Sequence, residues 1–222
     1  MWFKYINPMK VNQSKSIYKP QCLCLSVLMA AGILLSACKK VPEKSPEEPL
    51  EVSVSDEELL LKADEVTALL QKRLGSQLKT AMQSGGPVAG IQVCQQIGQS
   101  LTNSTNEKLD GVLVTRTSLR IRNPKNAPTT ADRQVMEGWL KQVADTGGGK
   151  LPQNEIVRRD DGSVVVYKPI LTQQLCMKCH GEPATFTPEL ISLIKKHYPD
   201  DQATGFKEGS LRGVFKAIFP KN

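Results

Sequence analysis

The chain has 222 residues, with 29 Lys and Arg against 22 Asp and Glu, only two histidines, six cysteines and a formal net charge of +7. Four of those lysines (Lys4, Lys10, Lys15, Lys19) fall in the first 37 residues, which hold no acidic residue, so the remainder carries 25 basic against 22 acidic side chains. No basic run is interleaved with aromatics, which excludes a nucleic-acid partner, and the length after a leader suits one domain of about 165 residues.

The apolar run from Cys22 to Leu35 has the length of a signal-peptide core and is short for a bilayer span. It ends in Leu35-Ser36-Ala37-Cys38, the pattern of a bacterial lipoprotein signal in which Cys38 becomes the acylated first residue. An ordinary secretory signal with an incidental cysteine is the alternative. Lys39 in place of aspartate tilts the sorting expectation toward the outer membrane. Residues 1–37 are therefore expected to be a signal peptide. Residues 38–54, rich in Lys, Glu and Pro, are expected to be a lipidated tether. Residues 55–222 would then be a domain held at the membrane by its lipid, facing the periplasm.

Ser55-Asp56-Glu57-Glu58 has the form of a capping box. Val66, Leu70, Leu74 and Ala81 follow at helical spacing, and Gly85-Gly86-Pro87 predicts a break after about Gln83. A second helix over 87–102 sets Ile91, Cys94, Gly98 and Leu101 on one stripe, aiming Cys94 at an interior. By pattern alone Cys94 is as readily a small hydrophobe as a metal ligand. Gly98 leaves room for a planar group against the helix.

From Gly111 the period becomes two. Val112, Val114, Thr115, Thr117, Leu119 and Ile121 alternate with Arg116, Arg120 and Arg122, which predicts strand through this stretch. A Pro- and Asn-rich loop at 123–128 precedes an amphipathic helix over 129–145, stopped by Gly147-Gly148-Gly149. Strands are expected at 155–159, 163–170 and 211–219, the first two joined by Asp160-Asp161-Gly162. The fold class expected is α+β, helices on an antiparallel sheet.

Cys176-Met177-Lys178-Cys179-His180 is the motif that carries chemistry. Cys-x-x-Cys-His attaches c-type haem: two thiols add across porphyrin vinyl groups, and the adjacent imidazole of His180 reaches the iron. A zinc site would need Cys94 and His197 to join Cys176 and Cys179, and no second close ligand pair exists in the sequence. A thioredoxin-like pair needs no histidine after it. One covalent haem c is the expected cofactor. For the other face of the iron, the residues alone leave His197, Cys94, Met82, Met136 and water open. Arg116, Arg120, Arg122 and Arg212 are candidates to pair haem propionates, or equally a solvated charged face.

Three stretches together resemble the PAS-like c-type haem domains first described in cyanobacteria. They are Arg116 to Pro128 with its Arg-Asn-Pro-Lys-Asn-Ala-Pro ending, Lys168-Pro169-Ile170 with the Cys-x-x-Cys-His motif and Gly181, and Tyr198-Pro199-Asp200 through Leu211-Arg212-Gly213. The resemblance covers about 58–219. It implies a PAS-like antiparallel sheet with flanking helices around one haem, ligated by His180 and by Cys94 from the earlier helix. A thiolate ligand favours ferric iron, so reduction would loosen Cys94 and free its helix. The function expected is a redox- or ligand-responsive haem sensor in the cell envelope, with a separate redox or signalling protein as partner. A periplasm-facing electron-transfer cytochrome is the alternative, a haem peroxidase a distant third, and an enzyme is not expected.

Overall fold

In the computed structural model, residues 54–147 and 152–221 are described. The signal peptide, Cys38 and all of the tether but Val54 lie outside them, as does Gly148-Gly149. Helix α1 spans Asp56–Asn106 and is two helical arms rather than one rod. Ser55 caps it as the capping box predicts: the Ser55 amide donates to Glu58 Oε2 at 3.0 Å and the Glu58 amide to Ser55 Oγ at 3.2 Å. Gly85 (φ −152°) and Gly86 (φ 62°) leave the helical region, and Pro87 begins the second arm. That arm runs to Asn106, four residues past the expected end. Gly90 lets the arms approach, since a Cβ there would sit 2.8 Å from Met82 Sδ. Arg73 ties them further along, donating to Thr105 Oγ1 at 2.7 Å and Ser104 Oγ at 3.1 Å.

Strand β1 (Leu113–Thr117), helix α2 (Thr130–Asp145), strands β2 (Glu155–Arg158) and β3 (Val164–Leu171), helices α3 (Gln174–His180) and α4 (Pro188–His197) and strand β4 (Leu211–Phe219) follow. The sheet order is β1-β4-β3-β2, antiparallel throughout. The α+β architecture is the one expected. The β2–β3 turn uses Gly162 at φ 82°, with the Ser163 amide held by Asp161 Oδ1 at 2.8 Å.

Strand alternation sorts the side chains onto two faces. Leu59, Ala63, Val66 and Leu70 of the first arm pack on Val112, Val114, Val166, Phe215 and Ala217. Val135, Met136 and Trp139 of α2 pack on Val165, Tyr167 and Val214 from the other side. Inside this second layer Asp132 is fully buried and bonded to Tyr167 Oη at 2.9 Å and Lys216 Nζ at 2.8 Å. Burial opposes its charge, yet the Lys216 and Thr129 bonds prevail and hold its carboxyl below the usual value. Tyr167 is pushed up to about 12 by burial and by Asp132.

One expectation fails. Strand does not continue through Leu119 and Ile121, because β1 ends at Thr117. There the backbones close up, a Cβ on Gly213 lying 2.3 Å from the Thr117 carbonyl. Ser118 Oγ then turns the chain aside by donating to the Arg212 carbonyl at 2.6 Å. Arg120 and Arg122 therefore stand on an irregular segment whose facing alternation could not predict.

Candidate haem site

A cleft of about 390 Å³ opens between the two arms of α1, the ends of β1 and β4, and α3. Its walls are largely apolar, with Leu74, Leu78, Ile91, Ile97, Leu101, Ile170 and Phe215 among them. Cys94, Arg116, Arg122, Cys176, Cys179, His180 and Arg212 all face it. The second arm supplies Cys94, and α3, begun after the extended N-cap residue Gln173, supplies the thiols and imidazole.

His180 is held by its back edge. Its Nδ1–H donates to the Ala203 carbonyl at 2.6 Å, which leaves the Nε2 lone pair free for a metal. Burial first, then the charges of Arg212 and Arg122, keep the imidazole well below its usual pKa and hence neutral. The 203–206 turn is stitched to the motif by Gly205 N to Gly181 O at 2.7 Å and Phe206 N to His180 O at 2.9 Å. Phe206 meets the His180 ring edge-on at 6.4 Å between centroids. The Cys179 thiol is pushed up to about 11 by burial. Cys94 is exposed into the cleft, and the surrounding protein still raises its thiol by desolvation against the pull of Arg116 and Arg122.

The arginines divide into different tasks. Arg116 reaches across Gly98, where a Cβ would lie 3.2 Å from its Nη2, and makes no hydrogen bond among the described residues. Gly98 lines the cleft with this guanidinium beside it. Arg122 grips Asp201 with two bonds of 2.9 and 3.1 Å and the Cys179 carbonyl at 2.7 Å. It is a brace between the 200s loop and the motif. Arg120, expected beside them as a propionate partner, does not line the cleft. Its guanidinium bonds the Gln202 and Thr204 carbonyls and lies 4.3 Å over Phe206, behind His180. Arg212 enters the cleft through a bulge: Ile170 pairs Gly213 and Leu171 pairs Leu211, leaving Arg212 with no opposite residue. Strict alternation would have put it with Val214 on the α2 face.

His197, the rival ligand to Cys94, ends α4 and does not line the cleft, whereas Met82 does. Met136 is buried under the sheet with α2. Among the described residues no three of His, Cys, Asp and Glu gather as metal ligands, so the zinc alternative is not assembled. Tyr198 is the cleft residue that sequence reasoning passed over, although its Tyr-Pro-Asp motif is among the resembling stretches.

The Tll0287-like family model matches residues 43–220, most of the chain. The chain belongs to that family. Among solved structures it is similar to the crystal structure of the cyanobacterial heme-protein Tll0287, with a TM-score of 0.54 and 25% identity. The match covers 76% of this chain and 98% of the other. No curated protein matches. The described region of this Tll0287-like chain has no helix long and apolar enough to cross a membrane.

Proposed function

We propose that this chain is a monohaem c-type cytochrome-like lipoprotein that works as a redox- or ligand-responsive module of the cell envelope. The observation that carries the reading is the convergence of both motif thiols, an imidazole with a free Nε2 and a third sulfur, Cys94, on one apolar cleft. Cys176 and Cys179 would hold the porphyrin covalently, His180 and Cys94 would ligate the iron, and Arg116 and Arg212 offer cations for its carboxylates. Bound there, haem supplies a one-electron couple and a site for diatomic ligands. The residues around it do the rest. Ala203 fixes the His180 tautomer, the leucines and isoleucines of α1 exclude water, and Arg122 with Asp201 keeps the motif and the 200s loop in register.

The responsive reading is favoured by the two-glycine joint of α1, which separates the arm bearing Cys94 from the arm packed on the sheet. Electron transfer is favoured by Leu175. It is 47% exposed and borders both the cleft and a surface groove lined by Met177, Lys178 and Phe186. A lipid on Cys38 and a Lys-, Glu- and Pro-rich tether at 38–54 would hold the domain at the membrane, the outer membrane being favoured slightly.

Protein matured with export and haem-ligation machinery should have the mass of polypeptide, lipid and one haem, with the haem retained after acid–acetone treatment. Cys176→Ala with Cys179→Ala should release it. Colourless protein of bare mass would sink the reading. Stopped-flow exchange with a small redox protein separates the two roles, fast exchange favouring a carrier and slow exchange with ligand-dependent shape change a sensor.

A further inference from the structure

Met82 is a sulfur of the cleft that the proposed haem chemistry leaves without a task. It ends the first arm of α1, three residues before the Gly85-Gly86 joint, and is half-buried. It belongs to none of the buried apolar clusters among the described residues, yet it lines the cleft. Its side chain lies against the second arm at Gly90. A Cβ there would come within 2.8 Å of Met82 Sδ and 3.6 Å of its Cγ, so any side chain at 90 would close the approach. Gly90 stands one helical turn before Cys94 on the same face, so the thioether meets the arm about 6 Å along its axis from that residue. Helical side chains tilt toward the N-terminus, which for Cys94 is the Gly90 side. Two sulfurs thus border the same stretch of cleft wall, one from each arm, with the joint between them in the chain.

The two sulfurs differ in kind. A thiolate is an anionic donor that favours ferric iron, whereas a thioether is neutral and soft, and methionine ligation raises the reduction potential of haem. The unbranched methionine side chain has three rotatable bonds, which give its sulfur reach without displacing the first arm from the sheet. Gln71, Gln77 and Tyr198, which also line the cleft, offer only oxygen, a harder donor. We infer that Met82 is the iron ligand of the ferrous state: on reduction Cys94 releases the metal and the Met82 thioether takes its place. An external one-electron donor supplies the electron that turns ferric into ferrous iron. The bond to Cys94 Sγ breaks, its electron pair leaves with the sulfur, and that sulfur takes a proton from water. A lone pair of Met82 Sδ forms the new bond, and reoxidation reverses each change. The exchange passes the iron from the second arm to the first, across the joint at Gly85 and Gly86.

This role rests on the proposed ligation of ferric iron by Cys94, and the experiment separates the two. In the haem-loaded full chain reduced with dithionite, proton NMR should show the strongly upfield methyl line of an iron-bound methionine. Met82→Leu nearly conserves volume. It should erase that line, turn the ferrous absorption spectrum from low-spin to high-spin and lower the reduction potential, with the ferric spectrum as in the parent. Cys94→Ala should do the converse, changing the ferric spectrum and leaving the ferrous methyl line in place. If Cys94→Ala leaves the ferric spectrum unchanged, ligation by Cys94 is wrong and the exchange falls with it. If Cys94→Ala alters that spectrum but the reduced parent lacks the methyl line, or Met82→Leu retains it, only the Met82 assignment is overturned. A ferric spectrum altered by Met82→Leu overturns it too, since the thioether would then act in both states. The NMR measurement on the parent needs no variant, so a missing line refutes the assignment even if Met82→Leu does not fold.

Discussion

The two faces of the sheet place their charged groups differently. Under α2, Asp132 accepts from Lys216, Tyr167 and the Thr129 amide, so the buried carboxylate is paired within the protein. In the cleft beside α1, Arg122 is likewise closed on Asp201, but Arg116 has no hydrogen-bond partner among the described residues. A closed network rigidifies a core and needs nothing further. A cation left open beside an apolar cleft suits an anionic group bound there. The difference separates architecture from function within one small domain.

The contrast makes the largest effect fall far from the site. Asp132→Ala strands an ammonium and a phenol in the α2 layer and should cost about 3–5 kcal/mol of unfolding free energy in urea titration, with the haem spectrum unchanged. An acid titration should lose part of the same contribution. The folded carboxyl of Asp132 lies below its ordinary value of 3.8, so the unfolded chain binds more protons in that window. The stability it gives is complete above the unfolded value and disappears as pH falls through the folded one. Replacing Asp132 together with Lys216 by apolar residues should flatten that part of the curve.

Gly213→Ala comes next, because its Cβ would meet backbone, the Thr117 carbonyl, rather than a side chain that could swing away. It should cost about 1–3 kcal/mol and disturb the bulge that aims Arg212, visible as a lower melting temperature together with an altered haem spectrum. Smallest is Arg116→Met. It strands no protein partner, so the loss should be about 1 kcal/mol or less in the same titration, well below that of Asp132→Ala. A loss as large as that of Asp132→Ala would mean that Arg116 is architecture after all.

The features written locally were legible. Ser55 and Glu58 cap α1 as their spacing implies, Gly85-Gly86-Pro87 divides it, Thr129 opens α2, and Gly162 turns the β2–β3 hairpin, because each depends on backbone preferences within four residues. The haem motif is equally local, since Cys176, Cys179 and His180 share one turn of helix. The end of β1 was not legible: Val112 and Val114 alternate correctly, but the bond that turns the chain aside runs from Ser118 to the Arg212 carbonyl, nearly a hundred residues away.

By itself, then, the sequence determined that two thiols and an imidazole lie side by side, that a helix breaks before Cys94, and that sheet and helices alternate as they do, all consequences of short-range torsional and periodic preference. Only the tertiary structure decided which arginines reach the cleft, that His197 stays out of it, and that Tyr198 lines it. Those outcomes hang on a strand terminus, one bulged residue and the meeting of α1 with α4, where facing is set by packing between segments distant in the chain.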